Sequence, residues 1–157
     1  MSIREIMSQP AVTVSVDTTL DEVARKMWEG DFGSLPVVDH ENRLVGIVTD
    51  RDVCMAAYIQ GKPLSAIPVD GVMAKQVFAS HPDDTLSKAE KLMSTRQVRR
   101  VPVINGNGEP VGVVSMSDLV RGTVGSGRTP KLQLVPGDVL KTMAAVCEPR
   151  FGKSQLI

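Results

Sequence analysis

Two stretches of this chain place a hydroxyl residue three positions ahead of an aspartate, where an apolar run gives way to a helical pattern. They are Gly46-Ile47-Val48-Thr49-Asp50-Arg51-Asp52 and Gly112-Val113-Val114-Ser115-Met116-Ser117-Asp118. A helix that begins at such a junction presents unpaired N–H groups and the positive end of its dipole, which together favour an anion. The same spacing is also a capping box, in which hydroxyl and carboxylate satisfy the first turn with no ligand. Both readings stand on the spacing alone, and they are compatible, because a cap can give way to a phosphate.

Catalytic constellations are missing from the inventory. The two histidines, His40 and His81, fall in a turn and a loop, with no cysteine or carboxylate cluster at ligand spacing. Neither a Gly-x-x-x-x-Gly-Lys-Ser/Thr stretch nor a Gly-x-Gly-x-x-Gly stretch occurs. Asp83-Asp84 reads as helix capping rather than as an acid/base pair. On this inventory the chain is not expected to be an enzyme, and no metal site is expected.

The two junctions belong to a longer repeat. Sliding the sequence by 66 residues aligns Ile6–Val53 with Val72–Leu119 without a gap, and 11 of the 48 positions are identical. Among them are Leu20/Leu86, Met27/Met93, Pro36/Pro102, Val37/Val103, Gly46/Gly112 and Asp52/Asp118. Average composition supplies roughly three such matches by chance. The expected division is a first repeat over 1–61, a linker over 62–71, a second repeat over 72–122, and a loop with a C-terminal helical extension over 123–157.

Each repeat reads strand, helix, strand, strand, helix. Ser2–Met7 is a helical turn stopped by Gln9-Pro10, and Ala11–Ser15 is a short β-branched strand. Thr19 and Glu22 fit a capping box ahead of Leu20, Val23, Ala24 and Met27, with Gly30 at the C-cap. Ser34–Asp39 is a strand carrying Pro36, so it should lie at an edge or begin at that residue. A turn over His40–Arg43 leads to a strand over Leu44–Thr49 and a helix over Asp50–Gln60, stopped by Gly61. In the second copy, Leu86, Ala89 and Met93 mark a helix face, and Asn105-Gly106 supplies the positive φ angles of a hairpin turn. The final repeat helix runs from about Met116 to about Gly122, Gly122–Pro130 is loose, and Asp138 caps a last helix bearing Val139, Leu140, Met143 and Ala144. That helix is expected to pack back on the module or on a second subunit, the alternative being a docking element for another protein, and Phe151–Ile157 is expected to fray.

Composition narrows the class. The 157 residues are 42% hydrophobic and 23% charged, ordinary for a soluble globular domain. Zero net charge argues against a nucleic-acid binder, which needs a basic face. Cys54 and Cys147, far apart, read as free thiols in a reducing compartment. No apolar run approaches a membrane span and no signal peptide opens the chain, so a cytoplasmic location is expected. With one Trp, one Tyr and three Phe, the core must be aliphatic.

The motifs Leu35-Pro36-Val37-Val38 and Val101-Pro102-Val103-Ile104, followed by the two Gly…Thr/Ser-x-x-Asp junctions, resemble a tandem CBS-domain pair, a Bateman module. The resemblance covers Ser2 to about Gly122 and leaves the C-terminal residues outside it. It implies an α/β (α+β) fold of two β-α-β-β-α repeats related by a pseudo-two-fold axis, with clefts between them that bind AMP, ADP, ATP or S-adenosylmethionine. It implies that Thr49 and Ser115 approach phosphate while Asp52 and Asp118 hold the ribose hydroxyls. An acceptor-only carboxylate suits two vicinal hydroxyls. The adenine walls it implies are Val12, Thr13, Val14, Leu35 and Pro36 in one copy, and Phe78, Ala79, Ser80, Val101 and Pro102 in the other. Val37 and Val103 are core strand residues.

Charge separates the two sites. Arg99 and Arg100 precede Val101 in copy two, whereas Arg51 lies inside the junction of copy one, and these three arginines are the phosphate candidates. Met116 replaces Asp50 in the second junction. The expected function is a stand-alone regulatory module, homodimeric, that requires no cofactor, binds an adenosine nucleotide with or without magnesium, and signals to a partner protein. The competing expectation is a structural or oligomerisation module with non-functional clefts.

Overall fold

The computed structural model describes residues 1–124 and 134–149. Most of the loose segment expected over Gly122–Pro130 and all of the end expected to fray lie outside them. The described chain divides into two compact units. A sheet unit holds Ser8–His81 and Pro102–Val113; a helical unit holds Met1–Met7, Pro82–Val101 and the described residues from Val114 on. These units are not the two sequence repeats.

In the sheet unit, β1 (Val14–Ser15), β2 (Ser34–Val38) and β3 (Leu44–Thr49) form a sheet in that order, β1 parallel to β2 and β2 antiparallel to β3. Two 11-residue helices accompany it, α1 (Leu20–Gly30) and α2 (Asp50–Gln60). The apolar spacing of α1 buries Leu20, Val23 and Met27 in one core with Leu35, Val37 and Val48 of the sheet. Ile67, Val69 and Met73, from beyond the first repeat, complete that core. Each fully buried aliphatic side chain of this kind contributes about 1.5–3 kcal/mol.

Two further strands, β4 (Arg100–Ile104) and β5 (Pro110–Ser115), pair as a second sheet. The helical unit carries α3 (Leu86–Arg96), α4 (Met116–Val124) and α5 (Pro136–Cys147). Leu86, Ala89 and Met93 are the buried face of α3, as their spacing requires. The C-terminal helix α5 packs on α3 and α4 of its own chain. Gln97, left-handed at the end of α3, donates from Nε2 to the carbonyls of Ala145 and Glu148 at 3.2 Å each.

Several local expectations are corrected. Pro36 lies inside the central strand; β1 pairs only with Val37 and Val38, so the proline falls outside that parallel ladder. The first strand shortens from Ala11–Ser15 to Val14–Ser15, and its counterpart in copy two reduces to a single parallel bridge between Ser80 and Val103. Thr19 makes no cap bond: its hydroxyl donates to Asp21 at 2.5 Å, and Glu22 turns to Arg25. Helix α1 closes one residue later than expected, on Asp31 with φ 54°. Asp138 is not the N-cap of α5; Val135 is, because Pro136 at the first helical position has no N–H to satisfy. Asp83 and Asp84 pair with Arg4 and Lys88, and Thr85 caps α3.

The two hairpin turns share one design. Asp39 Oδ1 accepts the N–H groups of Glu41 and Arg43, and Asn105 Oδ1 accepts those of Asn107 and Glu109, at 2.9–3.0 Å. Positive φ falls on Asn42 and on its repeat mate Gly108, rather than on Asn105-Gly106. An Asx side chain organises the turn and moves the left-handed position two residues on.

Candidate functional site

At the first junction the strand β3 ends on Thr49, paired with Ser34 of β2, and α2 starts at once. Thr49 is extended, with φ −114° and ψ 162°, so its hydroxyl turns over the first turn of the helix. Thr49 Oγ1 accepts the Asp52 N–H at 3.2 Å, while Asp52 Oδ2 accepts the Thr49 N–H at 2.8 Å and its hydroxyl at 2.7 Å. The Asp50 N–H donates to the Gly33 carbonyl at 3.3 Å, and the Arg51 N–H donates to Asp50 Oδ1 at 2.8 Å. The Asp50 carboxylate therefore already occupies the positive end of α2. Among the described residues no donor reaches Asp52 Oδ1, and Arg51 is exposed and forms no ion pair.

Gly46 opens this motif for a reason of space. A Cβ there would collide with Met73 Sδ, so the glycine lets the Met73 side chain lie against the strand.

The second junction repeats the box. Asp118 Oδ2 accepts the Ser115 N–H at 2.8 Å and its hydroxyl at 2.6 Å, and the Asp118 N–H donates back to Ser115 Oγ at 3.2 Å. The Met116 N–H donates to the Arg99 carbonyl at 2.9 Å, and no carboxylate stands where Asp50 stands in copy one. One further group is present here: Arg121 donates from Nη2 to Asp118 Oδ1. Asp118 is buried, 5% exposed, whereas Asp52 is half-buried. Arg99 is exposed, Arg100 half-buried, and neither forms an ion pair among the described residues.

All the residues proposed from the sequence for the first site lie in the sheet unit. Val14 and Leu35 are core side chains, Pro36 is buried, Thr13 is half-buried and Val12 is exposed. The Thr13 carbonyl accepts a bond from Lys26 Nζ at 3.2 Å. For the second site the sequence proposals divide. Arg99, Arg100, Val101, Ser115 and Asp118 belong to the helical unit; Phe78, Ala79, Ser80 and Pro102 belong to the sheet unit. Ser80 is fully buried and its hydroxyl has no partner, although its backbone pairs with Pro102 and Ile104.

Sequence reasoning missed Lys26 and Arg121. The signal for Arg121 was available: 66 residues earlier stands Met55, so the repeat shares the aspartate but not the cation one helical turn beyond it.

The family model for the CBS domain matches this chain twice, over residues 3–58 and 69–125. The CBS domain-containing protein YhcV of Bacillus subtilis is 34% identical over 118 residues, covering 75% of this chain and 82% of that protein. The uncharacterized protein MK0525 of Methanopyrus kandleri is 31% identical over 121 residues, covering 77% of this chain and 62% of that protein. Among solved structures, the CBS domain pair of protein MJ0100, in complex with 5'-methylthioadenosine and S-adenosyl-L-methionine, superposes with a TM-score of 0.73 at 26% identity. That match covers 80% of this chain and 97% of the solved one. Among the described residues no helix is long and apolar enough to cross a membrane.

Proposed function

This chain belongs to the CBS-domain family, and from that premise we propose that it is a regulatory module binding an adenosine compound at its two strand–helix junctions. The observation that carries the reading is the recurrence of one bonding pattern, hydroxyl to carboxylate and amide to hydroxyl, at Thr49–Asp52 and at Ser115–Asp118. In this reading Asp52 and Asp118 hold ribose hydroxyls. Thr49 and Ser115, with Arg51, Arg99 and Arg100, face the phosphates or what replaces them. The adenine lies along Val12–Val14 and Leu35–Pro36 in one site, and along Phe78–Ser80 and Val101–Pro102 in the other. The ligand class is AMP, ADP, ATP or S-adenosylmethionine; the adenosine compounds held by the MJ0100 pair support that class. The repeats are 1–61 and 72–122, joined by 62–71, with 123–157 as an extension.

The module catalyses nothing in this reading. It acts by population shift, the ligand favouring the conformation it binds better, and a partner protein reads the outcome. A homodimer is the assembly proposed, since Trp28 and Tyr58 on α1 and α2 are 89% and 83% exposed. A second reading, a structural module that needs no ligand, draws on the same junctions, because both capping boxes are complete as they stand.

Isothermal titration with AMP, ADP, ATP and S-adenosylmethionine, each with and without magnesium, separates the two. The sensor reading expects saturable micromolar binding of at least one ligand, with one site lost in Asp52→Ala, one lost in Asp118→Ala and both lost in the double variant while the fold persists. The structural reading expects no heat, and from the same substitutions only a capping loss of about 1 kcal/mol in stability.

A further inference from the structure

We propose that Arg121 is a latch on the second junction, making that site the weaker of the two for any ligand whose ribose is held by the aspartate. The inference rests on the reading of Asp52 and Asp118 as ribose-holding groups. At both positions Oδ2 is taken up by the capping hydroxyl and amide. The sites differ at the other oxygen. Oδ1 of Asp52 meets no donor among the described residues, whereas Oδ1 of Asp118 accepts the guanidinium of Arg121.

Two vicinal hydroxyls need open lone pairs on the carboxylate, and Asp52 offers a whole oxygen. Asp118 must first release its cation. The carboxylate side of the pair is 7% exposed and the arginine side 51% exposed, so the arginine can swing into water while the aspartate stays in place. Charge-assisted bonds of this kind are stronger than neutral ones, yet the exposure of Arg121 limits the penalty for breaking it. The latch is a graded handicap. Nothing replaces it in copy one, where the equivalent position is Met55.

The test uses the full chain with Asp52→Ala to silence the first site, or Asp52→Leu, which keeps the side chain's approximate size and carries no acceptor. Titrations with AMP and with S-adenosylmethionine then read the second site alone. Arg121→Met, which installs the copy-one residue, is expected to tighten binding by about three- to tenfold, and Arg121→Lys to leave it weak. Unchanged or weaker binding in Arg121→Met overturns the latch, the latter because it would make Arg121 a ligand contact. Binding that Asp118→Ala abolishes but Arg121→Met leaves unchanged overturns the latch and leaves the site reading standing. No heat from any form, wild type included, overturns both.

Discussion

A single hydroxyl at each junction does two things: it donates to the aspartate and accepts that residue's own amide. Such a box was legible in the sequence, since only residue type and a spacing of three are needed to write it. What the spacing could not convey is the state of the second carboxylate oxygen, which depends on a cation one turn further on. Ser80 is the other residue whose setting was hidden. Its repeat mate is Val14, and it occupies an equivalent strand position, fully buried, with an unpartnered hydroxyl. An unpaired buried hydroxyl costs free energy that a methyl does not. Ser80→Ala should therefore raise stability by about 1 kcal/mol, read as a higher urea midpoint at unchanged slope; a loss of similar size would mean that the hydroxyl has a role in the folded state.

Among the elements, β3 and α2 matched their sequence limits residue for residue, because Thr49 and Gly61 mark the helix ends by chemistry. Helix α5 started differently because proline outranked aspartate as a start signal. Its packing on α3 carries a pH dependence. Glu90 of α3 has one carboxylate oxygen buried without a partner, and burial, joined by the facing Asp138 of α5, pushes its carboxyl above the ordinary glutamate range. Lys91 and Lys141 line the same groove, and Lys141 is bonded to Asp138 at 3.3 Å. A pKa raised on folding means that the protonated form is the one the fold favours. That contribution is fully present below the unfolded-state pKa and is lost as pH rises through the folded one. Glu90→Gln should stabilise the protein at pH 7, with the advantage over wild type shrinking as pH falls into the ordinary glutamate range. Thermal unfolding of the two proteins in parallel across that range checks it; an advantage independent of pH would refute the assignment.

Over the whole molecule, the 66-residue equivalence extends to individual bonds while crossing the repeats. Ile3 N–H donates to the Asp84 carbonyl, and its mate Val69 N–H donates to the Thr18 carbonyl, both at 2.8 Å. Ser8 bridges Val113, and its mate Ala74 bridges Ile47. Each repeat thus gives its opening segment to the other, which is why the compact units do not follow the repeat boundaries. Self-alignment shows which positions are equivalent, but not which copy supplies the partner, so the repeat was legible and the exchange was not. If both junctions work as proposed, two aspartates in one chain hold two adenosine ligands. Equilibrium dialysis against saturating S-adenosylmethionine or AMP, whichever binds, tests it most directly. Wild type is expected to bind two equivalents, Asp52→Ala or Asp118→Ala one, and the double variant none. Undiminished binding by a folded double variant would contradict it.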